Sequence, residues 1–328
     1  GRVKVQVGVG GQVRVGGDIA GIWPLCIVRS GGLKVARCLD DPFGQFAGVV
    51  FADRALIGPG VQAVLAALRR TGTADCAAID HVVVGTPLHD ALIQAGARTA
   101  QIGQSVVVDL RPFESHKVYL SSVGLKTRKT HRNNLNRLSR LGPTDSRVCE
   151  DRAALSEIIH YTFDRRLDWL DQHGTTAPAF RDADFRGIVE GLPSVAGLTL
   201  RAFDLRLGGE VVARQWGFIY QNRYYAYLSA RNEAYDAVGP GSVHLGLVIE
   251  AEMAAGREVL ELMGPASPYK MRWTDTTKPI ADLVLPLSTR GKLWASGWQL
   301  GLKPMIRGVY HALPLKVRSQ IGAHLNRR

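Results

Sequence analysis

Five polar side chains in the second half of the sequence could take part in acid–base chemistry. Glu261 ends an apolar stretch, where partial desolvation would make a carboxylate more basic. Tyr269 could donate a proton, and Lys270 could bind a phosphate or pair with Glu261, which would lower the pKa of the carboxyl instead. Tyr227 lies in an alternating run and His244 near a predicted helix start, so each could contact a substrate or serve packing. Neither a Ser-His-Asp nor a Cys-His signature accompanies them, so proton transfer is predicted without an enzyme nucleophile.

A glycine-rich turn precedes the helix predicted over residues 242–255. Its glycines permit a tight turn and close approach of a ligand to the backbone. The helix N-terminus would add N–H groups and a partial positive charge, which together favour a phosphate group. Many helices begin at a Gly-Pro-Gly turn, so the motif alone is a weak predictor of a site. The candidate phosphate-binding residues are Val238, Gly239, Gly241, Ser242, Val243 and His244.

Several short motifs surround this turn. They are Val211-Val212-Ala213, Tyr224-Tyr225-Ala226-Tyr227, Pro240-Gly241, Glu261-Leu262-Met263-Gly264, and Tyr269-Lys270-Met271-Arg272-Trp273. Together with a basic helix before Gly142, they resemble the CelD-type family of GNAT proteins, which is related to the FemAB transferases. The resemblance covers residues 115–288 well, whereas residues 1–110 match only in the order of their elements.

The resemblance implies an α/β (α+β) fold, a tandem GNAT-like arrangement of two mixed β-sheets flanked by helices. It implies acyl transfer to an amine from acyl-CoA (acetyl-CoA) or from an acyl carrier protein, with no metal. The five polar residues named first are then the candidate catalytic residues, and Glu210 and Gln215 are further polar groups near the same cleft. The chain departs from the family pattern where Leu262 and Met263 separate Glu261 from Gly264, since the family has an acidic residue and a glycine close together there.

The elements that must position these residues divide the chain into four segments. Alternating valines around the Gly10-Gly11 turn predict a β-hairpin, and the glycines do not form the GxGxxG phosphate motif. Residues 1–113 are predicted to form an N-terminal GNAT-like half and residues 144–290 a C-terminal GNAT acyltransferase domain. Residues 114–143 are predicted to form a basic connecting helix with a stripe of leucines at 135, 138 and 141. Residues 291–328 are predicted to be a basic amphipathic tail.

The chain of 328 residues has a formal net charge of +12, which attracts polyanions. Nucleic acid, anionic membrane and phosphate-bearing or acidic carriers all remain open on this ground. The basic connecting segment could dock an acidic carrier, a phosphate tail or RNA, or it could be a solvated surface. The tail could lie on an anionic membrane or pack across the first domain.

The four cysteines are widely spaced and make no metal-ligand pattern, so a reduced compartment is favoured over a disulfide scaffold. The sequence shows neither a signal-peptide pattern nor an apolar run of about 20 residues, so it gives no support for secretion or a membrane span. We expect a cytoplasmic location, with peripheral contact with the inner membrane as an alternative.

The leading hypothesis is N-acyl transfer to an envelope precursor such as an amino sugar or exopolysaccharide unit. One alternative is long-chain acyl transfer to a lipid amine of the sphingoid or amino-acid type. Another is FemAB-like transfer from aminoacyl-tRNA, which salt-sensitive tRNA binding would favour; otherwise nucleic acid is not an expected partner. The last is a catalytically inactive GNAT-fold interaction module, which a failure to bind any acyl donor would favour.

Overall fold

The computed structural model of the chain describes residues 4–5, 11–15, 17–173, 177–302 and 305–306. These residues form two compact units. Unit 1 holds the described residues up to Gln104 and those from Lys278 onward, and unit 2 holds Ser105–Thr277. Both units combine mixed β-sheets with helices. The predicted α/β class, with mixed sheets flanked by helices, is confirmed.

Unit 1 contains an antiparallel sheet and a mixed sheet. The antiparallel strands are, in order, β1 (Lys4–Val5), β2 (Gln12–Val15), β3 (Asp18–Ile22) and β6 (Val50–Phe51). The mixed sheet includes β4 (Leu25–Ser30), β5 (Leu33–Cys38), β7 (Cys76–Val83) and β14 (Thr277–Pro286), with β5 and β7 parallel. Helices α1 (Ile57–Thr71) and α2 (Pro87–Gln94) bury leucines in the core of this unit. The buried positions of α1 recur at three- and four-residue spacing, as expected for a helix with one apolar face.

The described sheet of unit 2 begins with the last residues of β8 (Arg98–Asp109), from Ser105 onward. The strands that follow across the sheet are β13 (Val259–Met263), β12 (Arg223–Arg231), β11 (Glu210–Tyr220), β10 (Leu200–Leu207) and β9 (Thr144–Cys149). Neighbouring strands are antiparallel except β12 and β13, which run parallel. Gly208 and Gly209 connect β10 to β11 with φ values of 57° and 91°, a conformation that favours glycine.

Helices pack on both faces of this sheet. Helix α5 (Arg152–Gln172) lies on one face, where the indole N–H of Trp216 donates to Thr162 Oγ1 at 3.0 Å. Helix α8 (Pro240–Ala254) lies on the other, where Ala213 and Val243 share a core. Alternation of side chains along β11 places positions 213 and 216 on opposite faces. The other helices of unit 2 are α3 (His116–Ser122), α4 (Leu125–Leu141), α6 (Pro178–Arg181) and α7 (Ala183–Gly191).

Helix α8 contacts the sheet as well as helices α3 and α4. This explains why its sequence is apolar on almost every side, since a helix surrounded by protein needs no polar face. His131 of α4 packs so closely against Gly246 of α8 that a Cβ at Gly246 would lie 2.3 Å from the imidazole ring. The position of the start of α8 is therefore set by tertiary packing.

Between residues 144 and 263 the sequence pattern predicts strands over 146–150, 198–205, 211–220, 224–229 and 259–262 and helices over 153–170, 180–190 and 242–255. Each of these elements is present within a few residues of its expected bounds. Strands β3 and β5 of unit 1 were not predicted. Residues 114–143 form two helices instead of one, because Val123 and Gly124 adopt extended backbone between α3 and α4. In the predicted leucine stripe Leu138 is buried, whereas Leu141 is exposed.

Helix α9 (Thr289–Trp294) and a π-helical stretch, Ala295–Leu302, continue the chain in unit 1. Most of the predicted basic tail, residues 303–304 and 307–328, lies outside the described residues, as do Val3, Val7, Val9 and Gly10. The predicted domain boundaries stay predictions. Among the described helices, none combines the length and the apolar composition that crossing a bilayer would require.

Candidate functional site

Strands β12 and β13 separate shortly before α8 begins. They pair over three residues, ending where Tyr225 lies opposite Glu261. Both strands continue beyond this point, β12 to Arg231 and β13 to Met263, without pairing to each other. A register shift between β11 and β12 also makes Tyr227 the additional residue of a β-bulge. Bulges of this kind redirect side chains and are frequent beside active sites.

The turn into α8 is fixed by glycine and by an ion pair. Gly239 has φ 59° and ψ 53°, and a Cβ there would lie 2.6 Å from the side-chain nitrogen of Asn134 in α4. Arg231, the last residue of β12, binds Asp236 through two hydrogen bonds of 2.7 and 3.3 Å. The connection from β12 to α8 is therefore held at both ends.

The first turn of α8 offers fewer free N–H groups than its sequence suggests. Pro240 has no N–H, and the N–H groups of Ser242 and Val243 both donate to the Gly239 carbonyl at 3.1 Å. Among the described residues, the Gly241 N–H has no acceptor. In the described first turn of α8, the free N–H group at the predicted phosphate site is therefore that of Gly241. The partial positive charge of the helix end adds to its attraction for an anion.

A cavity of about 620 Å³ opens at this helix start, entirely within unit 2. Its wall combines three parts of the fold: the turn into α8, the end of β12 with the segment after it, and one side of α5. Its lining residues include Gly239, Pro240, Gly241, Ser242, His244, Gln215, Ser229, Arg231, Arg165, Arg166, Trp169 and Tyr269. Of the predicted site residues, the cavity brings together Gly239, Gly241, Ser242, His244 and Tyr269.

His244 is a neutral, buried polar group in the cavity wall. Its side chain is only 3% exposed, and burial lowers the pKa of its imidazole to about 4. Neither ring nitrogen has a hydrogen-bond partner among the described residues. Beside it, the Gln215 side-chain amide donates to the Tyr224 hydroxyl at 3.3 Å. A buried imidazole without partners is costly, so His244 is suited to bond to a ligand.

One tyrosine and three arginines give the cavity wall its acidity and its positive charge. Tyr269 is 42% exposed, and desolvation raises the pKa of its hydroxyl, while the positive charges of Arg166 and Arg231 oppose that rise. A guanidinium nitrogen of Arg165 lies 3.8 Å from a carboxylate oxygen of Asp168. The wall therefore presents a protonated phenol near positive charge, an arrangement that can donate a proton to a developing anion.

Three predicted catalytic residues lie elsewhere. Glu261 is buried in β13 and bonds to Arg223 at 3.3 Å, not to Lys270. The Lys270 ammonium donates to the Met263 carbonyl at 3.0 Å, and burial lowers its pKa to about 8. Tyr227 packs against Trp216, with ring centroids 4.9 Å apart.

The remaining predicted residues have packing or surface positions. Val238 and Val243 are buried in a core that includes Leu138. Glu210, at the start of β11, accepts a hydrogen bond of 2.7 Å from the Tyr235 hydroxyl. The two valines stabilise the turn by packing in the core, and Glu210 does not line the cavity.

Sequence reasoning missed the side of the cavity that α5 provides. Arg165, Arg166 and Trp169 are adjacent on one surface of that helix, since residues three and four apart lie together. A cluster of two arginines and a tryptophan in one helical turn was the signal available in the sequence. Whether this cluster faces the start of α8 depends on tertiary packing.

The geometry agrees with a comparison of domain sequences. The description "Acetyltransferase (GNAT) domain" belongs to the family model that matches residues 126–271. The chain is an acyltransferase, and its residues 126–271 are similar to a GNAT acetyltransferase domain. The match begins in α4, contains the α8 turn and ends beside Tyr269 and Lys270. Among curated proteins, none matches the sequence significantly.

Solved structures share the fold over most of the chain. One is the C-terminal domain of a protein described as a lysylphosphatidylglycerol synthetase from Agrobacterium fabrum, at 17% identity and TM-score 0.55, covering 90% of this chain and 87% of that one. A second is FemX, at 12% identity and TM-score 0.56, covering 90% of both chains. A third is a conserved protein of unknown function from Bacteroides thetaiotaomicron, at 10% identity and TM-score 0.51, covering 81% of this chain and 83% of that one. At these identities the similarity shows the fold.

Proposed function

We propose that the GNAT domain transfers an acyl group from acyl-CoA to the amine of a bacterial envelope precursor, such as an amino sugar or exopolysaccharide unit. One observation supports this above the others. The start of α8, with the free N–H of Gly241, lies on the wall of the 620 Å³ cavity that also holds Arg231 and the buried His244. An amide at a helix N-terminus, next to a guanidinium, is suited to a phosphate group.

The cavity residues fit a phosphorylated thiol carrier. Gly241 would donate its N–H to a phosphate oxygen, with the Ser242 side chain next to it on the same turn. Val238 and Val243 act from the core by holding the turn in place. When bound, the carrier supplies an activated thioester, and no residue of the chain has to form a covalent intermediate.

The cavity also holds groups for the two proton transfers. The amine nitrogen attacks the thioester carbonyl carbon, the carbon–sulfur bond breaks, and the thiolate takes a proton. Tyr269, whose raised pKa keeps the phenol protonated, is the proposed donor of that proton. The neutral His244 accepts a hydrogen bond from the amine, and it takes the proton that the nitrogen loses as the amide bond forms and passes it to solvent in the open cavity.

Glu261, Lys270 and Tyr227 are assigned supporting roles. Lys270 binds the carbonyl of Met263 and so holds the segment that carries Tyr269. Glu261 lies at the last parallel rung between β12 and β13, where its bond to Arg223 fixes the point of separation. Tyr227 fills the bulge of β12 against Trp216.

Replacement of Gly241 tests the donor site. A Cβ at this position would meet only the Arg231 side chain, at 3.9 Å, so substitutions leave the fold intact. Gly241→Asp places a carboxylate beside the proposed phosphate position, and we expect acetyl-CoA affinity to fall about tenfold or more, measured by calorimetry. Gly241→Ala is the matched control and should stay within about twofold of wild type. Equal acetyl-CoA affinity in a folded Gly241→Asp protein would count against the site.

A second candidate donor is an acyl carrier protein, and helix α4 favours it. The segment between Glu114 and Asp145 has no acidic residue. The cationic side chains that α4 exposes are Lys126, Lys129, Arg132, Arg137 and Arg140. None of them forms an ion pair with an acidic residue in the described part of the chain. Because Asn134 of α4 contacts Gly239, this basic face adjoins the proposed donor site.

The acceptor and the acyl chain length are separable by assay. Thiol release from acetyl-CoA and from a long-chain acyl-CoA, with an amino sugar or a sphingoid amine, distinguishes envelope N-acylation from lipid N-acylation. Binding of aminoacyl-tRNA that weakens steeply with salt, without thiol release from any acyl-CoA, would favour the FemAB-like alternative. Absence of any donor binding would favour an interaction module.

A further inference from the structure

Helix α5 carries one arginine in the cavity wall that has no acidic partner. Every acidic residue of α5 is occupied by another arginine: Glu157 by Arg214, Asp164 by Arg186, Asp168 by Arg165, and Asp171 by Arg181. Among the described residues, no carboxylate lies within ion-pair distance of Arg166. Its charge is thus left facing the cavity that it lines.

Aromatic rings hold the Arg166 guanidinium in place. Its central carbon lies 4.9 Å from the centroid of Trp169 and 5.6 Å from that of Phe180. The Nε atom is shielded from solvent and has no acceptor among the described residues. Cation–π contacts orient a guanidinium but leave its in-plane N–H groups available for a planar or tetrahedral anion.

An unpaired, partly buried cation is costly, and burial lowers the pKa of this guanidinium. A ligand anion would remove that cost, so the site is incomplete in the protein alone. The positive charge of Arg166 acts on Tyr269, which the proposed function places beside the leaving thiolate. At that end an acyl-CoA is uncharged, because its phosphates lie at the opposite end of the molecule.

We propose that Arg166 binds a phosphate or carboxylate group of the amine acceptor. The inference rests on the proposed function, because it names the chemical class of that acceptor. The acceptor is then an anionic amine, such as a sugar amine that also bears a phosphate. Arg166 is a specificity-determining residue at a subsite separate from the α8 turn.

Proton–nitrogen NMR spectra of the arginine Nε–H groups in the full chain test the subsite directly. The Arg166 signal is assigned by its loss in Arg166→Gln. Titration with inorganic phosphate at constant ionic strength should shift this signal in a saturable way. Glucosamine 6-phosphate should shift it at concentrations about tenfold or more below those needed for glucosamine. Arg152→Gln, at the exposed start of the same helix and outside the cavity wall, is the control and should leave both titrations unchanged within about twofold.

Competition with CoA identifies the source of the anion. If the acceptor supplies it, saturating CoA leaves the phosphate-induced shift of Arg166 in place. Displacement of phosphate by CoA would assign Arg166 to the donor and overturn the proposal, as would a signal that phosphate does not shift. Because acetyl-CoA affinity in Gly241→Asp is measured separately, failure at Arg166 is distinguishable from failure of the donor site.

Discussion

Two buried histidines show how single residues in unit 2 are tuned by desolvation. His244 lies in the cavity wall, and His131 packs edge-on against Trp273 with ring centroids 5.1 Å apart. Burial is the main cause that lowers the pKa of each imidazole to about 4, and the nearby His116 contributes to the shift of His131. Both side chains are therefore neutral at physiological pH, so His244 can accept a hydrogen bond without first losing a proton.

The same pKa shifts predict acid sensitivity. In the unfolded chain a histidine titrates near pH 6.5, so between that pH and about 4 the unfolded state binds more protons than the folded state. The stability that the neutral form confers is complete above pH 6.5 and is lost as the pH falls toward 4. When the pH falls from 7 to 5, each histidine should lower the free energy of unfolding by roughly 2 kcal/mol.

Urea unfolding at the two pH values measures this loss. In His131→Gln the decrease between pH 7 and pH 5 should be smaller than in the wild type by roughly 2 kcal/mol. The exposed His173, changed to Gln, is the control and should give the wild-type decrease. Identical decreases in the His131→Gln and wild-type proteins would contradict the argument.

Only part of the residue-level site could be predicted from the sequence. His244 and Tyr269 were predicted as site residues because their motifs place them next to a helix start and after an apolar strand. Both line the cavity, and their roles stay predictions. The Arg223 partner of Glu261 was not, because these residues are 38 positions apart and meet only through the parallel register of β12 and β13. The role of Arg166 depends on which arginines occupy the acids of α5, which periodicity does not determine.

At the scale of elements, the start of α8 depends both on local backbone preferences and on tertiary packing. The Gly239–Ser242 turn was predictable because glycine and proline have definite conformational preferences. The separation of β12 from β13 and the bulge at Tyr227 were not, because they arise from pairing between distant segments. The break between α3 and α4 was missed because the basic composition runs through it.

Charge reversal on α4 distinguishes the two donors at this scale. For the double variant Arg132→Glu/Arg137→Glu, we expect KM for an acyl carrier protein substrate to rise about tenfold or more, while KM for acyl-CoA changes by less than about twofold. Both side chains are exposed, so folding should be unaffected. Arg69→Glu/Arg70→Glu on α1 of unit 1 is the matched control. Equal KM values for the carrier substrate in both double variants would leave acyl-CoA as the donor.

At the scale of the whole molecule, the net charge of +12 favours the approach of phosphate-bearing substrates before specific contacts form. The composition predicts that the protein attracts phosphate groups, but it does not show which basic residues bind them. The described basic residues have different roles. Arg231 positions the α8 turn and Arg166 faces the cavity, whereas Arg132, Arg137 and Arg140 of α4 are exposed. The fold class followed from the order of elements, whereas the cavity required their packing.

A crystal structure of the protein with CoA would show whether the phosphates of the donor bind at the start of α8. We expect the CoA pyrophosphate there, with a phosphate oxygen about 3 Å from the Gly241 nitrogen. We also expect the thiol end of CoA to lie near Tyr269. A pyrophosphate bound elsewhere, or a side chain closing the cavity at Gly241 when CoA is bound, would contradict the account.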